Sequence, residues 1–225
     1  MPNDDNEQRV KEFFGLIRPM YARLVATLVD DAETVMAEAE KLFTDMIPDM
    51  AYVDQPEHPM ANSVFGCSAA LAVFLVLRKL DVSEHAFGRA MLDALAKRPA
   101  PAPPDDEQAM QDTFDRMAKT ADASQRNAKP GEFIFEVYRG DGGTHDWGMN
   151  IKSCAICHAF ARHDAMSLVP YMCASDDVMS DAGNQGLRRT GTIAVGAHQC
   201  DFVYQRGGEP LHLADLYPER IRVVD

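Results

Sequence analysis

Five cysteines stand in this 225-residue chain, at positions 67, 154, 157, 173 and 200, and four of them fall within the 47 residues from Cys154 to Cys200. Two are joined to a histidine in the run Cys154-Ala155-Ile156-Cys157-His158. Three chemistries use such a run. C-x-x-C-H attaches haem in c-type cytochromes, a reaction tied to export. Positions i, i+3 and i+4 share one helix face, so the three side chains could converge on a metal. Structural zinc, however, takes four ligands, and Cys173 and Cys200 are isolated, not paired. The third chemistry is that of a reactive thiol. If Ser153 caps a helix, Cys154 lies at its start, where free N–H groups and the helix dipole lower a thiol's pKa. His158, one turn on, could then serve as a base. Cysteine also packs well as a small apolar residue. That is the favoured reading for Cys157; for Cys154 packing and chemistry are evenly matched.

Two further groups could complete a site. Asp176, three residues after Cys173, either caps a helix or faces the thiols as a general acid/base. The stretch Arg188-Arg189-Thr190-Gly191-Thr192-Ile193 leads through Gly196 to Cys200-Asp201-Phe202. Strand alternation puts Cys200 and Phe202 on one face and Asp201 on the other. The planar fork of Arg189 could hold a substrate carboxylate, or simply pair on the surface of an acidic protein. His145-Asp146-Trp147 beside a glycine turn, and the isolated His198 and His212, are weaker candidates. Dinucleotide, P-loop, nucleophile-elbow and H-E-x-x-H motifs do not occur.

Composition narrows the function classes. The chain has 22 basic and 35 acidic side chains, a formal charge of −13. Ten basic and 16 acidic groups lie in 1–98, and 12 and 19 in 99–225, so the acidity is uniform. Uniform acidity argues against nucleic acid or an anionic membrane as partner, and a small-molecule substrate is expected instead. Apolar content of 46% can build a core. The acidic start, MPNDDNEQRV, lacks the pattern of a secretory signal. With an odd cysteine count, this leads us to expect reduced thiols and a cytoplasmic protein. A homodimer is compatible with the size, though no pattern requires one.

The elements that must position these residues fall into two kinds. Apolar residues recur at helical spacing from Val10 to Ile17 and, after Pro19, from Tyr21 to Val29 and from Val35 to Met46. Val64–Leu77, 14 residues and shorter than the roughly 18 of a membrane span, reads as a buried helix capped by Asn62 or Ser63. Ser83 caps the next, which carries the stripe Phe87, Ala90, Met91, Ala94 and Leu95. The run Pro99–Pro104 reads as a stiff linker. Met110, Phe114, Met117 and Ala121 mark another helix. Then the period changes: Phe133–Tyr138 alternates as a strand, glycines 140, 142 and 143 turn the chain, and Thr144–Ile151 returns. A helix follows from Ser153 to about His163, Pro170 interrupts, and Ser175 or Asp176 opens a short helix. Thr190–Val195 and Cys200–Gln205 read as a second hairpin about Gly196. The expected fold is α+β, a helical N-terminal half packed on a C-terminal antiparallel sheet with covering helices. Its divisions are a helical region 1–98, a linker 99–104 and an α+β domain 105–225, or one integrated domain.

The C-terminal pattern resembles the family named for L-2-amino-thiazoline-4-carboxylic acid hydrolase. The residues that carry the resemblance are Cys154, then Cys173-Ala174-Ser175-Asp176, then Arg189-Thr190-Gly191-Thr192-Ile193-Ala194-Val195-Gly196, then Cys200-Asp201-Phe202. Cys157 and His158 lie outside it. The resemblance implies hydrolysis of a cyclic isothiourea-like carboxylate, opening the ring to an N-carbamoyl cysteine by thiol- or carboxylate-assisted attack. On that reading Cys154 is nucleophile or activated thiol and Asp176 the acid/base. Cys173 and Cys200 complete the site, with His158 a further catalytic candidate, and Arg189 and Asp201 bind substrate. No cofactor is expected, zinc on the cysteine–histidine cluster being the alternative. A non-catalytic ligand-binding, metal or redox domain is the competing class.

Overall fold

The structure, a computed structural model, describes residues 4–98, 107–141 and 143–221. Four helices come first: α1 (Asp4–Val25), α2 (Ala32–Met46), α3 (Ala61–Arg78) and α4 (Glu84–Ala96). Helix α5 (Glu107–Asn127) leads into the hairpin β1 (Ile134–Arg139) and β2 (Trp147–Ser153). Next come α6 (Ala155–Ala161), α7 (Val169–Ala182), β3 (Leu187–Arg188), β4 (Cys200–Tyr204) and α8 (Leu213–Leu216). The expected α+β arrangement is what is observed. The Pro99–Pro104 linker and Gly142 of the turn lie outside the described residues.

Local chemistry sets several boundaries. Asp31 accepts a hydrogen bond from the Thr34 N–H to cap α2, and Ser83 accepts one from Ala86 to cap α4. Helix α3 is buried without a gap from Ser68 to Leu77 and packs against α1, α2, α4 and α6. It is long and apolar enough to cross a membrane, but a helix surrounded by protein is apolar all round for the same reason. It starts at Ala61, and neither Asn62 nor Ser63 caps it.

The sheet is antiparallel in the order β1-β2-β4-β3. In its centre Met149 lies opposite Phe202 and Ile151 opposite Cys200, with Phe135 and Val137 next to them on β1. The other face carries Glu136, which accepts from Asn150 and Lys152. Helix α5 covers the outer edge of β1, where the Ser124 hydroxyl accepts from the Phe135 N–H. One hydrophobic core joins Phe14, Phe43, Phe74 and Phe87 of the helical layer to Phe135, Phe160, Leu168 and Phe202. Helix α7 comes close to α4 because Gly88 has no side chain: a Cβ there would lie 2.3 Å from the Tyr171 ring.

Three expected breaks are not where proline or alternation put them. Helix α1 runs straight through Pro19. The lost bond would go to Gly15, and both residues are exposed, so water can take up the freed carbonyl. Pro170 does not interrupt a helix; it lies in the first turn of α7, where its missing N–H costs nothing. Asp176 is therefore within α7 and caps no helix. Thr190–Val195 is not a strand either. The Asp201 carboxylate takes the N–H groups of Thr190 and Gly191, so a side chain replaces the ladder. Ile193–Val195 closes as a short 3-10 turn, ended by Gly196 at φ +101.

Candidate functional site

Moving the start of α7 to Val169 puts Cys173, Asp176, Asp177 and Ser180 on one helix at spacings of three and four, and so on one side of it. Asp177 and Ser180 are buried anchors. Asp177 Oδ2 accepts from the Leu213 N–H at 2.9 Å, and Ser180 Oγ accepts from the Leu187 N–H at 3.1 Å. These bonds tie α7 to the C-terminal segments. Its neighbours Cys173 and Asp176 are left partly exposed.

Arg189 joins the family motif to α7. Nη1 donates to Asp176 Oδ2 at 2.9 Å, and Nη2 donates to Cys173 O at 2.8 Å and to Asp177 Oδ1. Its guanidinium lies 4.9 Å from the centre of the Phe202 ring. Burial disfavours the charge, but Asp176 and Asp177 more than offset this and hold the guanidinium protonated. The side chain is 0% exposed. Its terminal nitrogens serve two carboxylates and a carbonyl, while its buried Nε has no partner among the described residues. Asp201 is likewise engaged within the protein. Its carboxylate holds the Thr190 N–H and hydroxyl and the Gly191 N–H, which fixes the loop that delivers Arg189.

Asp176 is different. Its side chain is 46% exposed, yet burial by surrounding protein is the main influence on its carboxyl, pushing it up to about 6. Arg189 opposes this rise and Asp177 adds to it. The carboxylate is thus crowded by protein on one side and open to water on the other, and this open side is the recess. Cys67, Cys173 and Tyr204 combine the same two properties, being partly exposed but with pKa values raised chiefly by burial.

Three thiols, Cys67, Cys173 and Cys200, are electrostatically coupled to this carboxylate. Asp176 and Cys154 act electrostatically on Cys67; Asp176, Cys154 and Cys200 act on Cys173; and Cys154 and Asp176 act on Cys200. Cys173 and Cys200 are thus each coupled to both Asp176 and Cys154. Every one of these thiols is pushed towards its protonated form. For Cys200 burial raises the pKa to about 12, although the Ile193 N–H donates to its sulfur at 3.3 Å. For Cys154 the Cys157 thiol raises it most and burial next, outweighing the Ile156 and Cys157 amides that draw it down. Those amides close no capping bond of ordinary geometry: Cys154, and not Ser153, is the N-cap of α6, with no side-chain cap. His158 is exposed, and its Nε2 lies 3.1 Å from Ser153 Oγ, so its ring is engaged outside the thiol group.

Two recess residues had escaped the sequence reading. Cys67 comes from α3, far from the other cysteines in the chain, and no motif signals it. Tyr204 could have been found, because alternation from Cys200 and Phe202 puts it on the same face. It stacks on Trp147 with ring centres 4.3 Å apart. Among the described residues no group of three or more His, Cys, Asp or Glu side chains is gathered closely enough to hold a metal ion. Two grooves elsewhere, about 720 Å³ between α1 and α4 and about 480 Å³ beside Tyr52, are lined by none of the cysteines.

No curated protein and no solved structure matches the chain. The family model described as L-2-amino-thiazoline-4-carboxylic acid hydrolase matches residues 81–204. The match starts next to α4 and ends at the last residue of β4, so it takes in Cys154, Cys173, Asp176, Arg189, Cys200 and Tyr204. It covers more than half of the sequence, and the chain therefore belongs to the L-2-amino-thiazoline-4-carboxylic acid hydrolase family.

Proposed function

We propose that the protein hydrolyses 2-amino-thiazoline-4-carboxylate or a close cyclic isothiourea, and that Asp176 is the general base that activates water. The family supplies the reaction class. One observation supports the mechanism: the Asp176 carboxylate is held by Arg189 at 2.9 Å yet stays 46% exposed, burial pushes its pKa up to about 6, and the thiols coupled to it are pushed towards their protonated form. A general base works best with a pKa near the operating pH. A thiol works as a nucleophile through its thiolate, and the nearby cation that could stabilise one, Arg189, is already committed to two carboxylates. Carboxylate-assisted hydration is thus favoured over thiolate attack.

The ring in its protonated form has an electrophilic C2 between sulfur and two nitrogens. As the water oxygen bonds to C2, Asp176 accepts one proton. It returns that proton to the sulfur as the C2–S bond breaks and sulfur takes the bonding pair. The second water proton leaves as the C2–O bond becomes a carbonyl, balancing the proton that the cationic ring brought. One water is consumed, and the product is an N-carbamoyl cysteine with a free thiol. Arg189 acts as a positioning residue that keeps Asp176 Oδ2 fixed and its carboxyl from rising further.

The test is incubation of the purified protein with 2-amino-thiazoline-4-carboxylate, following release of the thiol. Turnover that falls by about 10²–10⁴ in Asp176→Asn, with the circular dichroism spectrum unchanged, is expected. Full activity in Asp176→Asn would remove the base from this carboxylate, and no turnover by the wild type would move the protein to another substrate.

A further inference from the structure

The groups coupled electrostatically to Asp176 come from several elements. They are Cys67 of α3, Cys173 and Asp177 of α7, Arg189 of the loop after β3, and Cys200 and Tyr204 of β4. The thiols and the Tyr204 phenol keep their protons at neutral pH. The formal charges are therefore two carboxylates against one guanidinium, a net of −1. Arg189 is the cation that acts on this group among the described residues, and its side chain is completely enclosed. Asp176 uses Oδ2 for Arg189, and Oδ1 has no partner among the described residues.

Resting on the hydrolase reading above, we propose that this recess recognises the amidinium charge of the ring, and not the ring carboxylate. A planar amidinium presents N–H donors to a carboxylate oxygen that no other side chain occupies. A ligand carboxylate brought to the same place would meet Asp176 with no free cation to receive it, and like charges at close range are costly in a recess that limits hydration. This reverses the polarity expected from the sequence, where Arg189 was the substrate's anchor. Specificity follows from it: cyclic isothioureas and amidines enter, and neutral or purely anionic rings of the same size do not.

Two probes separate the charges. 2-Amino-2-thiazoline carries the ring cation and no carboxylate; 2-oxothiazolidine-4-carboxylate keeps the ring size and the carboxylate and has no cation. Calorimetric titration of the wild-type protein at pH 7.5 is expected to show the cation binding at least tenfold more tightly. Asp176→Asn, checked for native circular dichroism, should lose that preference. A cation held beside Asp176 also lowers its pKa, so the acid limb of kcat should lie below that of kcat/KM, which reports the free enzyme. Equal or tighter binding of the anion, no binding of the cation, or an acid limb that rises on substrate binding overturns the proposal. The titration needs no turnover. A cation preference without ring opening would therefore sink the hydrolase reading alone, and ring opening with an anion preference would sink this recognition alone.

Discussion

Arg189 and Asp176 share a hydrogen bond of 2.9 Å across the boundary of the recess. The arginine side chain is 0% exposed and the aspartate side chain 46%. The cation is thus sealed inside, where it shapes the carboxylate, while the carboxylate remains partly open to water. From the sequence, Asp176 is expected as acid/base and Arg189 as the anchor of a substrate carboxylate.

Activity should depend on pH through this pair. Asp176 must be ionised to act as a base, so kcat/KM should rise through about pH 6 and level off above it. Stability should move the other way. The folded carboxyl binds its proton more tightly than an unfolded aspartate of pKa 3.8, so the folded state holds more protons between the two values. Raising the pH through that window removes stability. Urea denaturation from pH 3.5 to 7 should show this decline in the wild type and lose that component in Asp176→Asn.

Replacing Arg189 with Met should be severe. Asp177, 7% exposed, and Asp176 would be left facing each other without their cation. Breaking a buried pair in this way costs about 3–5 kcal/mol. In the fraction that folds, the acid limb of kcat/KM should move above 6, because the influence that opposes burial has gone. An unmoved limb would show that Arg189 does not tune the base.

Cys154→Ser should keep ring-opening activity within about tenfold, since a protonated thiol lines the recess without attacking. Alkylation of the native protein by iodoacetamide at pH 7 should be slow for the same reason. Loss of activity by three orders of magnitude in Cys154→Ser, together with rapid alkylation at Cys154, would return the nucleophile to that residue.

Gly88→Ala tests how α7 is placed. The new methyl would meet the Tyr171 ring at 2.3 Å, and overpacking of this kind costs about 1–3 kcal/mol. The variant should have a lower denaturation midpoint. Its kcat should also fall, because α7 carries Asp176. A midpoint and rate equal to the wild type would mean that α7 shifts freely.

Much of the fold was legible along the chain. The helical periodicity of Val35–Met46, the cap at Ser83 and the alternation of Phe133–Tyr138 all report local physics: which face is buried, and which amide finds an oxygen. The failures came where a local signal had two meanings. Pro170 stops a helix or starts one, and the choice depends on where Val169 and Tyr171 are buried. Thr190–Val195 has strand composition, but Asp201, ten residues away, takes the amides that a strand would have paired.

For the site, the sequence by itself determined the family and brought attention to Cys154, Cys173, Asp176, Arg189 and Cys200, because spacing and residue type survive without coordinates. Only the tertiary structure shows what each one touches. It added Cys67 from α3 and turned His158 towards Ser153. It also enclosed Arg189 between Asp176 and Asp177. The physical reason is that charge, burial and access are properties of a neighbourhood. An arginine reads the same in a sequence whether its guanidinium waits for a substrate or is already held by two carboxylates, and packing around Phe202 and α7 makes that choice here.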